Sequence, residues 1–488
     1  MFPEEPISPE AAVDRFLTSL KTPARILVAI SGGSDSTGLL LLLSEALKAA
    51  PNLSISLCAA TIDHALRPES ADEARQVAAL CASLGIPHRT MVWQNAKPKT
   101  GIMAAAREAR YGLLAEAAEA FEANLIVTGH TADDQRETLR MRGMRTEQVS
   151  TGIADAVLFD RRFWILRPLL FSTRTDIRAF LSARGVSWID DPSNEDMKYE
   201  RVRTRRQLSA EADAEREMRE AGQERLALAS EGAEWLDRYL RLHGGLLGQV
   251  MPDGLKQDRA VLDYALGRLA AVFGGQPFVP GRVQMEWLLA FAVGGKPGRM
   301  TVGRVVFDLR RDGLYLARES RGILPLVLRP GEAGVWDGRF AVRNGSVASI
   351  AIEAAATHSP SFLRLSQDSS VSKSLGTEDS LSLHMESFTA RTRGGWIPVT
   401  STGMREHHFG HLPKAAWKRA IASAPALSAE GAYLASESVR SVDLAPYFAP
   451  FDRFLTRFDF TFADRLSAVF SRVPYAEPPL RSIDGKTI

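Results

Sequence analysis

Between residues 25 and about 170 the apolar positions fall into two alternating patterns. Short, nearly continuous apolar runs of strand length occupy residues 25–30, 53–62, 88–93, 124–128 and 163–166. Between them lie stretches of helical character at 37–50, with five consecutive leucines at its centre, 69–84, 101–122 and 133–142. Strand and helix in strict alternation predict an α/β fold, a parallel sheet with helices on both faces. On such sheets ligands gather beyond the carboxyl ends of the strands.

After residue 206 the alternation stops. Residues 207–300 are rich in Ala, Leu, Glu and Arg and predict a helical domain. From residue 301 the period shortens to two: 305–317 alternates around Arg311-Asp312-Gly313, and Trp336-Asp337-Gly338-Arg339 and Asn344-Gly345 add turn signals, so 301–357 is expected to be a small β-rich region. Residues 358–388 hold ten serines and no clear period, which predicts a flexible linker over 358–394. Residues 395–488 form a mixed C-terminal region.

Composition adds bounds. A chain of 488 residues suggests three domains at about 150 residues each. The net charge of +2 announces no global attraction to nucleic acid, so any such surface is local. The acidic beginning and the lack of any apolar run near ~18 residues point to a soluble, cytoplasmic protein with no membrane association. Cys58 and Cys81, one in an expected strand and one in an expected helix, read as packing residues, and no C-x-x-C pair supports an iron–sulfur or zinc site of that kind. His407, His408 and His411 have a metal-like spacing but no acidic partner, and read as surface histidines.

The chemistry begins between the first strand and the first helix, at Ser31-Gly32-Gly33-Ser34-Asp35-Ser36. Two glycines permit a sharp turn and close approach of a ligand, and a new helix N-terminus favours an anion. The loop has neither the lysine of the G-x-x-x-x-G-K-[ST] pattern nor the spacing of G-x-G-x-x-G. It resembles the S-G-G-x-D-S loop of the PP-loop ATP pyrophosphatases, which cleave ATP between its α and β phosphates. The resemblance implies an adenine-nucleotide hydrolase-like fold for residues 1–206, ATP bound by residues 31–36, and Asp35 as a ligand of Mg²⁺, a hard cation suited to carboxylate and phosphate oxygens.

Further motifs follow in family order. Asp63-His64-Ala65-Leu66-Arg67-Pro68-Glu69-Ser70 resembles D-H-x-L-R-x-x-S, Gly101 with Ala106-Arg107-Glu108-Ala109-Arg110-Tyr111 resembles G-x-x-x-x-A-R-x-x-R-Y, and Thr128-Gly129-His130-Thr131-Ala132-Asp133-Asp134-Gln135-Arg136-Glu137-Thr138 resembles T-G-H-x-x-D-D-Q-x-E-T. With Leu166-Arg167-Pro168, Trp188-Ile189-Asp190-Asp191-Pro192-Ser193-Asn194, Tyr199 and Arg201, these are similar to the tRNA(Ile)-lysidine synthetase branch of the PP-loop family. The chain departs from that branch after Thr138, where an R-G-S-G segment is commonly found and Arg142-Gly143-Met144 arrives early.

The resemblance implies a ligase forming a carbon–nitrogen bond. ATP adenylates C2 of the wobble cytidine of a tRNA(Ile) with a CAU anticodon, and the ε-amine of L-lysine displaces AMP. Asp63, His64, Gly129 and His130 would contact ATP, Arg107 and Arg110 would offset charge on pyrophosphate, Asp133 would share the acidic cluster, and Asp134 and Glu137 would bind lysine. Arg67, Asn194, Tyr199, Arg201, Arg203 and Arg205 would contact tRNA, together with the helical and C-terminal regions. A homodimer is one assembly this allows. Independently of family, three carboxylates at the first turns of one helix repel one another unless a cation lies among them, and residues 197–206 carry five basic groups against one acid, a pattern suited to phosphate contacts. Two other readings compete: another PP-loop tRNA-modifying enzyme, such as a thiolase or amide-forming ligase, and a non-catalytic RNA-binding relative.

Overall fold

The computed structural model describes residues 7–66, 69–94, 97–98, 100–143, 150–189, 212–355, 412–429 and 441–483, with short strand segments at 389–392, 395–398, 432–433 and 486–487. The chain divides into two compact units, one built from residues 1–226, 454–458 and 476–488 and the other from 227–453 and 459–475.

The first unit is organised on β1 (Ala24–Ala29), β2 (Ile55–Asp63), β3 (His88–Val92), β4 (Leu125–Thr128), β5 (Ala156–Phe159) and β6 (Phe163–Leu166). Reading across the sheet the order is β5-β6-β4-β1-β2-β3, and Phe454–Thr456 extends it beyond β5. The strands β6, β4, β1, β2 and β3 are parallel, as expected. Strand β5 is antiparallel to β6, and so is Phe454–Thr456 to β5. Ala29 pairs with both Ala60 and Thr128, so β1 and β4 end at the same edge and their following loops emerge side by side.

The helices are α1 (Pro9–Ser19), α2 (Ser34–Ala49), α3 (Ser70–Ser83), α4 (Ile102–Ala120), α5 (Ala132–Gly143) and α6 (Arg174–Ala183). The five leucines of α2 are all buried, which is the behaviour of a helix apolar on every side. Alanines 115, 117 and 118 of α4 let it lie close to the sheet over Leu27, Cys58 and Ile126. Both cysteines are free and buried, and burial pushes their thiols up to about 11, consistent with packing roles. Gly38 of α2 faces α6 so closely that a Cβ there would lie 2.3 Å from Ile177 Cγ2.

The described part of residues 207–300, which begins at the end of the first unit and continues into the second, differs from the all-helical expectation. It contributes α7 (Ala212–Tyr239), α8 (Arg259–Gly274) and α9 (Arg282–Val293), but also β7 (Leu240–His243) and β8 (Leu247–Val250). The hairpin turns on Gly244 and Gly245, both at positive φ, and its four-residue strands are too short to show a period. It joins β9 (Gly298–Val302), β10 (Val305–Arg310) and β11 (Gly313–Arg318) in a sheet of order β7-β8-β11-β10-β9, so residues expected in two regions share one sheet. The β10–β11 hairpin forms where Arg311-Asp312-Gly313 predicts it. Asp337-Gly338, at φ 51° and 68°, turns Ala333–Trp336 back along Phe340–Asn344, the paired positive angles of a tight hairpin. The core of the second unit gathers Trp336, Tyr315, Phe340 and Leu427. The Ser-rich stretch 358–388 and His407, His408 and His411 lie outside the described residues. Among the described residues, no helix is long and apolar enough to cross a membrane.

Candidate active site

The loop at residues 31–36 is shaped by its own hydroxyls. Ser36 Oγ accepts from Ser31 N at 3.1 Å and donates to Gly33 O at 3.1 Å, and Thr37 Oγ1 donates to Gly32 O at 3.1 Å. Gly32 holds φ +87°, and a Cβ there would meet Ile189 Cδ1 at 2.6 Å, so both backbone and space require glycine. Ile189 N also donates to Gly32 O at 2.9 Å, which docks the Trp188-Ile189 segment on the loop. Gly33 caps α2 without a side-chain hydrogen bond, leaving the helix N-terminus to the loop and to what it faces.

A second glycine closes the approach from β4. A Cβ on Gly129 would lie 2.8 Å from Asp35 O and 2.9 Å from Ser36 N. Next to it, Thr128 Oγ1 and His130 Nδ1 are hydrogen-bonded at 2.9 Å. The T-G-H motif is therefore packed directly against the S-G-G-x-D-S loop.

The cation demanded by the carboxylate cluster is Arg174, the first residue of α6, which sequence reasoning did not single out. Its Nε donates to Asp35 Oδ2 at 2.8 Å, its Nη2 reaches Asp134 Oδ1 at 3.4 Å, and its backbone N–H donates to Asp133 Oδ2 at 2.8 Å. Arg178, one turn on, donates from Nε to Ser34 Oγ at 3.3 Å. Asp35, Asp134 and Arg174 are only 15–18% exposed, so their attraction is screened less than that of a surface pair. Burial pushes the Asp35 carboxyl up, Arg174 pulls it back, and Asp134 pushes it up again, with a net rise. Burial lowers the Arg174 guanidinium, but Asp35, Asp134 and Asp133 outweigh it and raise it.

Asp134 is oriented at both oxygens: Oδ2 accepts from Thr131 N at 2.9 Å and Thr131 Oγ1 at 3.1 Å, while Oδ1 faces Arg174. Glu137, one turn along α5, is buried at 2% exposure. Gln135 of the same motif has a scaffold role, its side-chain amide donating to Ile153 O at 3.0 Å and accepting from Ile153 N at 2.5 Å.

A neighbouring group forms at the end of β2. Asp63 Oδ1 accepts from Ala65 N at 2.7 Å, fixing the turn that presents His64. The His64 ring stands edge-on to Trp93 at 6.0 Å, and its buried Nδ1 has no hydrogen-bond partner among the described residues. Burial lowers its pKa, and the nearby Arg110 and Lys97 cations lower it further against Asp63. Arg107 lies over the Tyr111 ring at 5.5 Å. Arg167, buried, donates to Ala154 O, and its positive charge acts on the Tyr111 hydroxyl of the A-R-x-x-R-Y helix. Arg67, Asn194, Tyr199, Arg201, Arg203 and Arg205 lie outside the described residues.

The hard oxygens of Asp35 at the phosphate loop suit Mg²⁺, which commonly takes one or two carboxylates together with substrate phosphates. Fold and loop together define an ATP-using PP-loop domain, and the PP-loop domain family matches residues 8–212. The chain is 46% identical over 362 residues to a tRNA(Ile)-lysidine synthase of Rhizobium meliloti, an alignment covering 71% of this chain and 80% of that protein. It is 44% identical over 325 residues to a tRNA(Ile)-lysidine synthase of Mesorhizobium japonicum, covering 64% and 70%. Among solved structures, the U34-tRNA thiolase NcsA from Methanococcus maripaludis aligns at 16% identity with a TM-score of 0.35, over 41% of this chain and 70% of that one, a likeness too slight to carry an argument. The chain belongs to the tRNA(Ile)-lysidine synthase family.

Proposed function

We propose that this protein converts the wobble cytidine of a CAU-anticodon tRNA(Ile) to lysidine in two steps at one site: adenylation of C2 by ATP, then displacement of AMP by the ε-amine of L-lysine. The observation that carries the reading is the convergence of Asp35, on the phosphate loop, and Asp134, on the D-D-Q-x-E-T helix, on the single guanidinium of Arg174. Phosphate-binding and amine-binding elements thereby meet at one point.

In the first step residues 31–36 cradle the triphosphate, with Gly32 and Gly33 admitting close approach and the N-terminus of α2 favouring its charge. Asp35 would hold Mg²⁺, which supplies charge neutralisation on the phosphates. Arg107 and Arg110, on α4, are the basic groups assigned to charge growing on the leaving pyrophosphate. Asp63, His64, Gly129 and His130 line the nucleotide side. Burial, with Arg110 beside it, lowers the His64 pKa and so favours the neutral ring.

The second step requires a neutral amine. With a reference pKa of about 10.4, lysine is neutral in only about one molecule in a few thousand at pH 7, which corresponds to roughly 4 to 5 kcal/mol. Asp134 and Glu137 bind the ammonium groups, and one of them takes the proton as the amine attacks. The basic residues Arg67, Arg201, Arg203 and Arg205, with Asn194 and Tyr199, contact the tRNA, and the second unit adds tRNA-binding surface. The protein works in the cytoplasm, and a homodimer is one form it could take.

The test is incubation with ATP, Mg²⁺, labelled L-lysine and tRNA transcripts. Lysine should enter only a tRNA whose wobble base is cytidine in a CAU anticodon. Incorporation that ignores the anticodon, or none at all, overturns the proposal.

A further inference from the structure

We propose that Arg174 makes lysine binding depend on nucleotide binding, so that the amine is admitted after the phosphates are in place. The inference rests on the reading just given, that Asp35 faces metal-bound phosphate and Asp134 receives a lysine ammonium.

The geometry separates what is fixed from what can yield. The backbone of Arg174 is pinned by its N–H to Asp133 Oδ2 at 2.8 Å, and α6 behind it is held against α2 at the Gly38–Ile177 contact. The guanidinium, in contrast, is divided: Nε holds Asp35 Oδ2 at 2.8 Å, whereas Nη2 holds Asp134 Oδ1 at a longer 3.4 Å. Asp134 does not depend on Arg174 for its orientation, because Thr131 N and Oγ1 fix the other oxygen. Asp134 Oδ1 is therefore a pre-aimed acceptor whose present cation is its weakest partner.

A lysine ammonium and the Arg174 guanidinium compete for that oxygen. The competition favours Arg174 as long as Asp35 keeps the guanidinium between the two carboxylates. Nucleotide with Mg²⁺ gives Asp35 a divalent partner and offers Arg174 phosphate oxygens, which bind a guanidinium with charge-assisted hydrogen bonds. The side chain then turns toward phosphate about its pinned backbone and leaves Asp134 Oδ1 to the ammonium. Coupling of this kind is reciprocal: lysine tightens nucleotide by the same factor that nucleotide tightens lysine. Arg174 acts here as a positioning residue.

The experiment measures lysine affinity calorimetrically, with and without Mg²⁺ and the α,β-methylene analogue of ATP, which cannot transfer its adenylyl group. In the wild type the analogue should tighten lysine at least about fivefold, the lower end of ordinary allosteric coupling. Arg174→Gln should bind lysine with nearly the same affinity in both conditions, and its analogue-free affinity should exceed the wild type's. Arg174→Lys, which keeps the charge without the fork, should show a reduced ratio and carries the test if Arg174→Gln does not fold. An unchanged ratio in a folded Arg174 variant, or no coupling in the wild type, overturns the inference. Absence of lysine binding under either condition overturns the lysine assignment itself, a result distinct from binding without coupling.

Discussion

Gly129 lies against the backbone of Asp35, close enough that a Cβ would stand 2.8 Å from the Asp35 carbonyl oxygen. The requirement is steric. Gly129→Ala must push the phosphate loop away from β4, at the cost of about 1 to 3 kcal/mol typical of overpacking a tight contact. The variant should fold with a lowered melting temperature and bind ATP roughly tenfold or more weakly, each 1.4 kcal/mol being a factor of ten. Unaltered ATP affinity in isothermal titration would show that the T-G-H segment does not shape the loop.

Gly38 predicts an inversion of helix propensity. Gly→Ala inside an exposed helix gains roughly 1 kcal/mol. At Gly38 the new Cβ would lie 2.3 Å from Ile177 Cγ2, so Gly38→Ala should destabilise by about 1 to 3 kcal/mol instead. Ile177→Leu moves the branch away from that contact and should recover part of the loss in the double variant. Chemical denaturation of the two single variants and the double variant measures the coupling directly, and simple additivity would contradict it.

Glu137→Gln keeps shape and removes charge from the buried second acid of the lysine subsite. Lysine-dependent turnover should fall by a factor on the order of a hundred, the size of a general acid–base contribution, while nucleotide affinity changes little. Equal loss of both would contradict the division of labour between the loop and α5.

His64 gives a pH dependence of known sign. Its folded-state pKa is below the ordinary 6.5, mainly through burial and then through Arg110, so the unfolded chain binds more protons than the folded one as pH falls through 6.5. Its contribution is nil above that range and destabilising below it. His64→Gln should therefore flatten part of the fall in melting temperature between about pH 7 and pH 5. NMR titration of the ring protons should place the midpoint below 6.5, and a midpoint above it would contradict the buried, cation-flanked setting.

Much of this was legible in the chain because it is local. The apolar runs located β1 to β4 and β6, and Phe163–Leu166 has the expected bounds. The motif residues Asp35, Gly129, Asp133 and Asp134 lie at the loops and helix starts that strand–helix alternation puts at one edge. What escaped is non-local. Phe454–Thr456 is a three-residue strand whose partner is almost 300 residues away, and nothing in three residues specifies a register. Arg174 follows the capping residue Thr173 and opens an amphipathic helix buried at Ile177, Phe180 and Leu181, so the helix start was readable. Its partner Asp35 is 139 residues earlier, and only the fold shows that the cation implied by the crowded carboxylates is supplied by the chain itself.

The two-step account is tested most directly by leaving lysine out. With ATP labelled in the α-phosphate, Mg²⁺ and a CAU-anticodon tRNA(Ile), the account predicts label attached to the tRNA as an adenylate, released as AMP when L-lysine is added, and no attachment in Asp35→Asn. Failure of label to enter the tRNA, label that lysine does not chase, or full labelling by Asp35→Asn would contradict it.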